Sequence, residues 1–254
     1  MQTFGEHLDV LRKMLFRIVV ISFFIAFCLI GFKDCIFDII LAPCTSEFST
    51  FQFVNSVLQI LGTKMDVYNS QIELIATDVS SQFMAHLSVS LYVGILFSSP
   101  YIVYELFKFI SPALYDNEKK YSFRIVLSSY LLFMIGLLVS YYLLFPISCR
   151  FLATYSVSSH VHTMITLDSY LSLFLSLTLT MGIVFQLPVL SFFLAKMDLL
   201  DSSTMKEYRK HAFILILLIA AIITPPDAMT LLLVSFPLYA LYELSIAVVR
   251  ISKG

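Results

Sequence analysis

Long apolar runs separated by short polar breaks extend along the whole chain. A helix needs about 20 apolar residues to cross a bilayer core of roughly 30 Å. The apolarity is continuous rather than alternating, which excludes a transmembrane β-barrel and leaves helices. We therefore predict an all-α polytopic membrane protein that forms a single transmembrane domain over residues 1–254. The candidate spans are residues 15–32, 84–107, 123–145, 170–195, 212–224 and 228–249.

Two features shorten or bend these spans. The fifth run has only 13 residues. A helix of that length reaches about 20 Å at roughly 1.5 Å per residue, so it needs a thinned bilayer or pairs with the sixth span as a re-entrant hairpin. Prolines interrupt other spans, and a proline bends a membrane helix because it removes a backbone hydrogen bond. We expect six bent helices packed into a cupped bundle, with Pro100, Pro188 and Pro237 inside spans and Pro146 at the end of the third.

Charged residues make up only 13% of the chain, so their placement is informative. Of the 16 lysines and arginines, all but three fall in the two terminal segments and in the loops after the second and fourth spans. The exceptions are Lys33, Lys64 and Arg150. Cytoplasmic segments are enriched in lysine and arginine, so this distribution places both termini in the cytoplasm. The formal net charge of −1 gives no electrostatic case for a nucleic-acid partner.

The segments that flank the first span have helical patterns of their own. In residues 1–14, leucines recur on one helical face, which predicts a short amphipathic helix on the inner membrane surface. Residues 33–82 form a long external loop. Apolar side chains at helical spacing in residues 51–61 predict a helix within this loop, and Pro43 forces a turn near its start.

The most charged internal break lies between the second and third spans, at residues 109–124. Pro112 ends the second helix because it lacks a backbone donor, and the charged cluster that follows must lie at a water interface. A second turn joins the last two spans. There Pro225 and Pro226 stop the fifth helix, and Asp227 is placed to cap the N-terminus of the sixth.

One polar side chain falls inside a predicted span. Gln186 lies two residues before Pro188 at mid-membrane depth, where an amide is costly unless it faces protein or water. A contact with an inserted ligand or a partner helix is one interpretation. An interhelical hydrogen bond that stabilises the bundle is the other, and the sequence does not choose between them.

The sequence contains none of the common catalytic motifs of membrane hydrolases or nucleotide-binding proteins. It has no HExxH metalloprotease motif, no GxSxG nucleophile elbow and no GxxxxGK[ST] phosphate loop. His160 and His162 share an outside loop but lack further metal ligands. Cys35 and Cys44 can pair in an oxidising compartment, although four unpaired thiols fit the sequence equally well. We expect no enzymatic activity, no cofactor and no metal site.

Several of these segments together resemble the TatC family, the multispanning receptor subunit of the twin-arginine protein translocase. The combination of Pro112-Ala113-Leu114-Tyr115, Glu118 and Thr224-Pro225-Pro226-Asp227 is specific. The matching segments occur in the family's order over nearly the whole chain. The others are His7-Leu8 with Leu11-Arg12-Lys13, Ala42-Pro43, Ala76-Thr77-Asp78-Val79, Phe109-Ile110-Ser111, Lys119-Lys120 and Phe145-Pro146.

The resemblance implies a receptor without enzymatic activity. It would bind twin-arginine signal peptides of folded cargo proteins, and its partners would be single-span TatA/TatB-type subunits, further copies of the chain and membrane lipid. The implied location is the bacterial cytoplasmic (inner) membrane. A secondary transporter for a small solute is the alternative function, but no inverted repeat is visible. A scaffold that assembles other membrane proteins is the third.

The resemblance also implies the residues of a signal-peptide site. Glu118 matches a carboxylate of the first inside loop, which Phe109, Pro112 and Leu114 would shape, and Arg12 matches a basic position of the N-terminal motif. A carboxylate can pair with a guanidinium through two parallel hydrogen bonds, which lysine cannot mimic.

The chain departs from the family at two of these positions. Val10 stands where the family has a glutamate, which leaves Asp9 or Glu6 as substitutes. On a helix the side chain of Asp9 points about 100° away from that of position 10. Gln186 stands where the family has an acidic residue, so hydrogen bonding is kept there but charge is lost. The external loop is also longer than is typical.

Overall fold

The structure, a computed structural model, describes residues 4–45, 47–52, 55, 72–110, 122–155, 158, 163–224 and 227–253. This part is mostly helical, with one short parallel pair of strands, β1 (Leu74–Ile75) and β2 (Ile165–Thr166). The helices are α1 (Phe4–Leu29), α2 (Lys33–Leu41), α3 (Ser81–Ile110), α4 (Ser122–Val139), α5 (Phe145–Thr154), α6 (Leu167–Val184), α7 (Leu187–Lys196), α8 (Ser202–Glu207), α9 (Arg209–Ile223) and α10 (Ala228–Lys253). Short 3-10 turns at Ile30–Phe32 and Ala42–Cys44 flank α2, and a π-helical turn at Ser140–Leu144 joins α4 to α5.

Some predicted residues lie outside the described part of the chain. They are the loop residues Pro112, Leu114 and Glu118, the turn residues Pro225 and Pro226, the pair His160 and His162, and most of the helix expected within the external loop.

Within the described residues, five helical stretches are long and apolar enough to cross a membrane. They are Leu8–Gln52, Ser81–Phe109, Ile125–Thr154, Leu167–Lys196 and Ala228–Ser252. The prediction of an all-α polytopic membrane protein is confirmed. Helix α9 has 15 residues, so it is about 22 Å long and shorter than a bilayer core of roughly 30 Å. The number of six spans and the location of the termini stay predictions.

Helix α1 packs against α3 along a seam of small residues. The hydroxyls of Ser22 and Ser98 hydrogen-bond at 2.7 Å. Further along, the helices approach so closely that a Cβ added to Gly94 would lie 2.6 Å from the Cβ of Ala26. Small side chains permit such an approach, and it provides the van der Waals contact that holds helices together in lipid. Residue numbers rise on one helix as they fall on the other, so α1 and α3 are antiparallel.

Glycines make a similar contact between α4 and α6. A Cβ added to Gly182 of α6 would lie 2.7 Å from the ring of Phe133 in α4. A Cβ added to Gly136 of α4 would lie 2.8 Å from the carbonyl oxygen of Met181. Each glycine thus leaves room for the neighbouring helix, and the two helices are in direct backbone contact.

Proline divides the fourth predicted span. Pro188 lies in the first turn of α7, directly after the chain leaves α6. A proline cannot donate a hydrogen bond to the carbonyl four residues earlier, and its ring clashes with that carbonyl. The span is therefore two helices that meet at Gln186. The other prolines inside predicted spans are Pro100 in α3 and Pro237 in α10. Pro146 follows the third predicted span and lies in the first turn of α5, so the helical stretch continues to Thr154.

Aromatic rings interlock at the centre of the bundle. Phe145 of α5 makes edge-to-face contacts with Tyr170 and Phe174 of α6, with ring centroids 5.0 and 4.9 Å apart, an arrangement that the ring quadrupoles favour. Tyr92 of α3 meets Phe174 at 6.2 Å. The buried hydroxyl of Tyr170 donates to the carbonyl of Ile40 at 2.7 Å. This cluster joins α2, α3, α5 and α6.

We call the end of the bundle where α1 begins and α3, α7 and α10 end the terminal face. The rings of Phe107 in α3 and Phe193 in α7 have centroids 5.9 Å apart. Ala195 of α7 shares a buried cluster with Val249 of α10. Because α1 is antiparallel to α3, its first turns lie at this end as well.

Candidate functional site

A buried glutamate with two partners lies near the terminal face. The side chain of Glu105 in α3 is only 5% exposed, and its Oε2 lies 3.0 Å from Nη2 of Arg17 in α1. The hydroxyl of Tyr101 donates to Oε1 of the same carboxylate at 2.9 Å. Ionisable groups within membrane spans are costly unless they are paired, and they usually mark functional positions. This cluster is the first candidate site.

The helices position the members of this cluster directly. Tyr101 and Glu105 are four residues apart, so they lie one above the other on the same face of α3. The antiparallel packing of α1 brings Arg17 to that face. Its side chain is 47% exposed, so the guanidinium covers the carboxylate from the surface of the bundle. Removing one partner of a buried ion pair typically costs about 3–5 kcal/mol, because the other charge is left uncompensated.

A second cluster repeats this arrangement on α10. Nη2 of Arg209 lies 2.7 Å from Oε2 of Glu243, and the hydroxyl of Tyr239 donates to Oε1 at 3.2 Å. The Glu243 side chain is 36% exposed, so its carboxylate is far more accessible than that of Glu105. The two clusters share the sequence pattern Tyr-x-x-Tyr-Glu, and in both helices this pattern follows a proline. The segments are Tyr101-Ile102-Val103-Tyr104-Glu105 and Tyr239-Ala240-Leu241-Tyr242-Glu243.

Three of the residues predicted for the signal-peptide site lie in the described part of the chain, and they flank the Glu105 cluster. Asp9 and Arg12 are exposed on α1. Arg12 precedes Arg17 by about 7.5 Å along the axis, at roughly 1.5 Å per residue. Phe109 is half-buried in the last turn of α3, about 6 Å beyond Glu105 by the same rise. Helix α3 ends at the terminal face, and Glu118 follows it in sequence, outside the part of the chain that the structure describes.

Gln186 makes hydrogen bonds to a neighbouring helix. Its Nε2 donates to the carbonyl of Ser129 at 3.1 Å, and its Oε1 accepts a hydrogen bond from the Ser129 hydroxyl. These bonds join α4 to the junction between α6 and α7 and satisfy the amide in apolar surroundings. They match the second of the two interpretations, whereas a contact with a ligand or a partner helix stays a prediction.

Comparison with known proteins decides the family. The model of the TatC family, the Sec-independent protein translocase protein, matches residues 6–237. The chain belongs to the TatC family. It is 35% identical to the TatC protein of Blattabacterium sp. subsp. Periplaneta americana, over 96% of this chain and 93% of the relative. It is 32% identical to that of Desulforapulum autotrophicum, over 98% of this chain and 84% of the relative.

A solved structure of the family has the same fold. The crystal structure of a Twin Arginine Translocase Receptor, TatC, superposes with a TM-score of 0.77 at 28% identity, over 98% of this chain and 100% of that one. The chain is therefore a TatC-type component of a Sec-independent protein translocase and a multi-pass membrane protein. The resemblance inferred from the sequence is confirmed.

Sequence reasoning missed the Glu105 cluster of this TatC-family chain. It treated Arg17 only as one more basic residue near the start of the first span. The signal was present, since Glu105 lies inside the predicted span 84–107, and a carboxylate at that position needs a cation nearby. Which cation pairs with it depends on the register of α1 against α3, and the sequence alone does not give that register.

The predicted turn residues lie at helix ends. Oδ1 of Asp227 accepts a hydrogen bond from the backbone N–H of Thr230 at 2.7 Å, which is N-cap geometry at the start of α10. The Thr230 hydroxyl donates to the other carboxylate oxygen. Pro43 is buried in the 3-10 turn after α2.

Cys35 is exposed and Cys44 is buried, and neither forms a disulfide.

A buried arginine lies at the opposite end of the bundle from the terminal face. Arg150 near the end of α5 is 1% exposed. Its guanidinium carbon lies 5.0 Å from the centroid of the Phe51 ring, a distance at which the ring face attracts a cation. This contact joins the segment around Phe51 to α5.

Proposed function

We propose that this chain is the core receptor component of a twin-arginine protein translocase. It binds the arginine-pair signal peptides of folded cargo and catalyses no reaction itself. The observation that carries this proposal is the likeness to the Twin Arginine Translocase Receptor structure over almost the full length of both chains. Membership of the TatC family supports it independently.

The signal peptide binds at the terminal face, where Glu118 receives an arginine. A carboxylate and a guanidinium form two parallel charge-assisted hydrogen bonds, so arginine is preferred over lysine. Phe109, Pro112 and Leu114 shape the loop around Glu118. Arg12 and Asp9, both exposed on the first turns of α1, form the facing wall of the site.

The terminal face lies in the cytoplasm. The N-terminal segment, the loop after α3, the segment around α8 and the C-terminus all belong to this face, and they hold most of the basic residues. This is the distribution expected of cytoplasmic segments in the bacterial inner membrane. A cytoplasmic site is also where a folded cargo protein can present its signal before export.

The export complex includes single-span TatA/TatB-type subunits and further copies of the chain. Helix α1 offers a surface for such contacts, because Phe16, Phe23 and Phe27 are 63–70% exposed. They recur at helical spacing and form one apolar face toward lipid or a partner helix. Gln186 is the polar position proposed to contact the inserted signal or a partner span.

The test is export of a reporter with an arginine-pair signal by cells that depend on this chain. Glu118→Gln removes the charge with little change in shape, and it should abolish export while the chain accumulates normally. Asp116→Asn in the same loop is the matched control and should leave export intact. Normal export in the Glu118→Gln strain would count against the proposal.

A further inference from the structure

The Glu105 cluster differs from an ordinary buried ion pair in how its two charges are exposed. The carboxylate side chain is 5% exposed whereas its partner Arg17 is 47% exposed. The cation therefore lies on the surface of α1 and covers an anion that the bundle keeps from solvent. Oε2 of Glu105 is thus already paired with a guanidinium, and a second guanidinium can take this place only if Arg17 moves away.

We propose that Glu105 is a second arginine-binding carboxylate of the receptor, which Arg17 occupies until an arginine of the signal peptide replaces it. The inference rests on the proposed function. Glu118 would hold one arginine of the pair, and Glu105 would hold the other. Arg17 is then an internal competitor that keeps the deeper site closed when no signal is bound.

Exchange avoids the main cost of breaking a buried ion pair. Removal of Arg17 alone leaves a charged carboxylate among apolar side chains, which is strongly unfavourable. When an incoming guanidinium takes the same place, Glu105 stays paired throughout. The long side chain of Arg17 can turn along α1 toward the water interface, as arginines near the ends of membrane helices do.

The geometry of the carboxylate favours arginine over lysine. Tyr101 already donates to Oε1 at 2.9 Å and so fixes the plane of the carboxylate. A planar guanidinium can bond Oε2 and the free side of Oε1 together, whereas an ammonium group provides a single point charge. Tyr101 thus acts as a positioning residue for the exchange.

The position of Glu105 along α3 is compatible with the spacing of two adjacent arginines in a peptide. It lies about 6 Å along α3 from Phe109, at roughly 1.5 Å per residue, and the loop with Glu118 begins two residues after Phe109. Consecutive residues of an extended peptide are about 3.8 Å apart and point to opposite sides. One arginine can therefore turn toward the loop while its neighbour reaches down along α1 to Glu105.

The test measures dissociation constants of two synthetic signal peptides for the full chain in nanodiscs. One peptide carries adjacent arginines before an apolar segment, and the other carries adjacent lysines. Glu105→Gln should weaken binding of the arginine peptide by about tenfold or more, the value of a charged hydrogen-bonded contact. Arg17→Gln should tighten binding of this peptide several-fold, because the internal competitor is gone.

Glu243→Gln is the matched control. Glu243 lies on α10 and, like Glu105, it has a tyrosine four residues earlier and an arginine as its partner. Binding of the arginine peptide by this variant should stay within about twofold of the unaltered chain. Unchanged binding by Glu105→Gln, or weaker binding by Arg17→Gln in a folded protein, would overturn the inference.

Failure of the proposed function has a different signature. If the unaltered chain does not prefer the arginine peptide, and Glu118→Gln changes nothing, the receptor proposal fails as a whole. If the preference exists and depends on Glu118 but not on Glu105, only the second carboxylate is refuted.

A labelling experiment on the unaltered chain tests the same inference without any substitution, so it does not depend on whether a variant folds. A photoactivatable group placed beside the arginine pair should label the segment 101–105, where Tyr104 is 48% exposed. The lysine peptide should label it less. Labelling confined to residues from Phe109 onward would show that no arginine reaches Glu105.

Discussion

The seam between α1 and α3 should not tolerate even one added methyl group. In Gly94→Ala the new Cβ would lie 2.6 Å from the Cβ of Ala26 and 2.8 and 2.9 Å from its backbone Cα and N. Carbon atoms in contact prefer about 3.5–4.0 Å. Because backbone atoms cannot move aside, α1 must retreat by roughly 1 Å at this point.

The net cost follows from three contributions. Overpacking of a well-packed contact costs about 1–3 kcal/mol. A retreat of α1 also stretches the 2.7 Å bond between Ser22 and Ser98, and a hydrogen bond between membrane helices contributes about 0.6–1.7 kcal/mol. The higher helix propensity of alanine returns about 1 kcal/mol. Gly94→Ala should therefore destabilise the bundle by about 1–3 kcal/mol.

The assay is unfolding in mixed micelles, followed by circular dichroism because the chain has no tryptophan. Gly31→Ala is the matched control, since a Cβ added there meets nothing within 4 Å. It should leave stability unchanged or raise it by up to about 1 kcal/mol. Equal stability of Gly94→Ala and Gly31→Ala would refute the close contact between α1 and α3.

Three further predictions follow from other contacts. Gln186→Leu should destabilise the bundle by about 1–2 kcal/mol. In a Ser129→Ala background the same change should cost about half as much, because the bond from the Ser129 hydroxyl is already absent and only the bond to the Ser129 backbone carbonyl is lost, which a double-mutant cycle would measure. Asp227→Ala should cost about 1 kcal/mol through loss of the α10 cap, whereas Asp227→Asn should be nearly neutral in the same unfolding assay. Arg17→Met should cost about 3–5 kcal/mol and the double variant Arg17→Met with Glu105→Leu far less; additive losses would contradict a buried ion pair.

Apolar run length and proline positions were enough to predict the class of this fold. The continuous runs predict membrane helices because no other structure satisfies the backbone in lipid. The same reasoning gave a short fifth run, which corresponds to α9, and a bend at Pro188, where the structure has a break between α6 and α7. Run length does not reveal helix register, so neither the contact of Gly94 with Ala26 nor that of Gly136 with Met181 could be predicted.

Some residues of the candidate site were proposed from the sequence, and others were found only in the structure. Phe109 and Arg12 were proposed for the site from the resemblance of their segments to the TatC family, and their roles stay predictions. Glu105 could not be predicted, because its importance depends on Arg17, which is 88 positions away in sequence and adjacent in space. Pairs of this kind emerge only when two helices dock in a defined register.

The receptor proposal requires that this chain recognises a pair of arginines. The most direct test is binding of the arginine-pair and lysine-pair signal peptides to the detergent-purified chain and to its Glu118→Gln variant. The unaltered chain should clearly prefer the arginine-pair peptide, and the Glu118→Gln variant should lose this preference. Equal binding of the two peptides by the unaltered chain would contradict the receptor proposal.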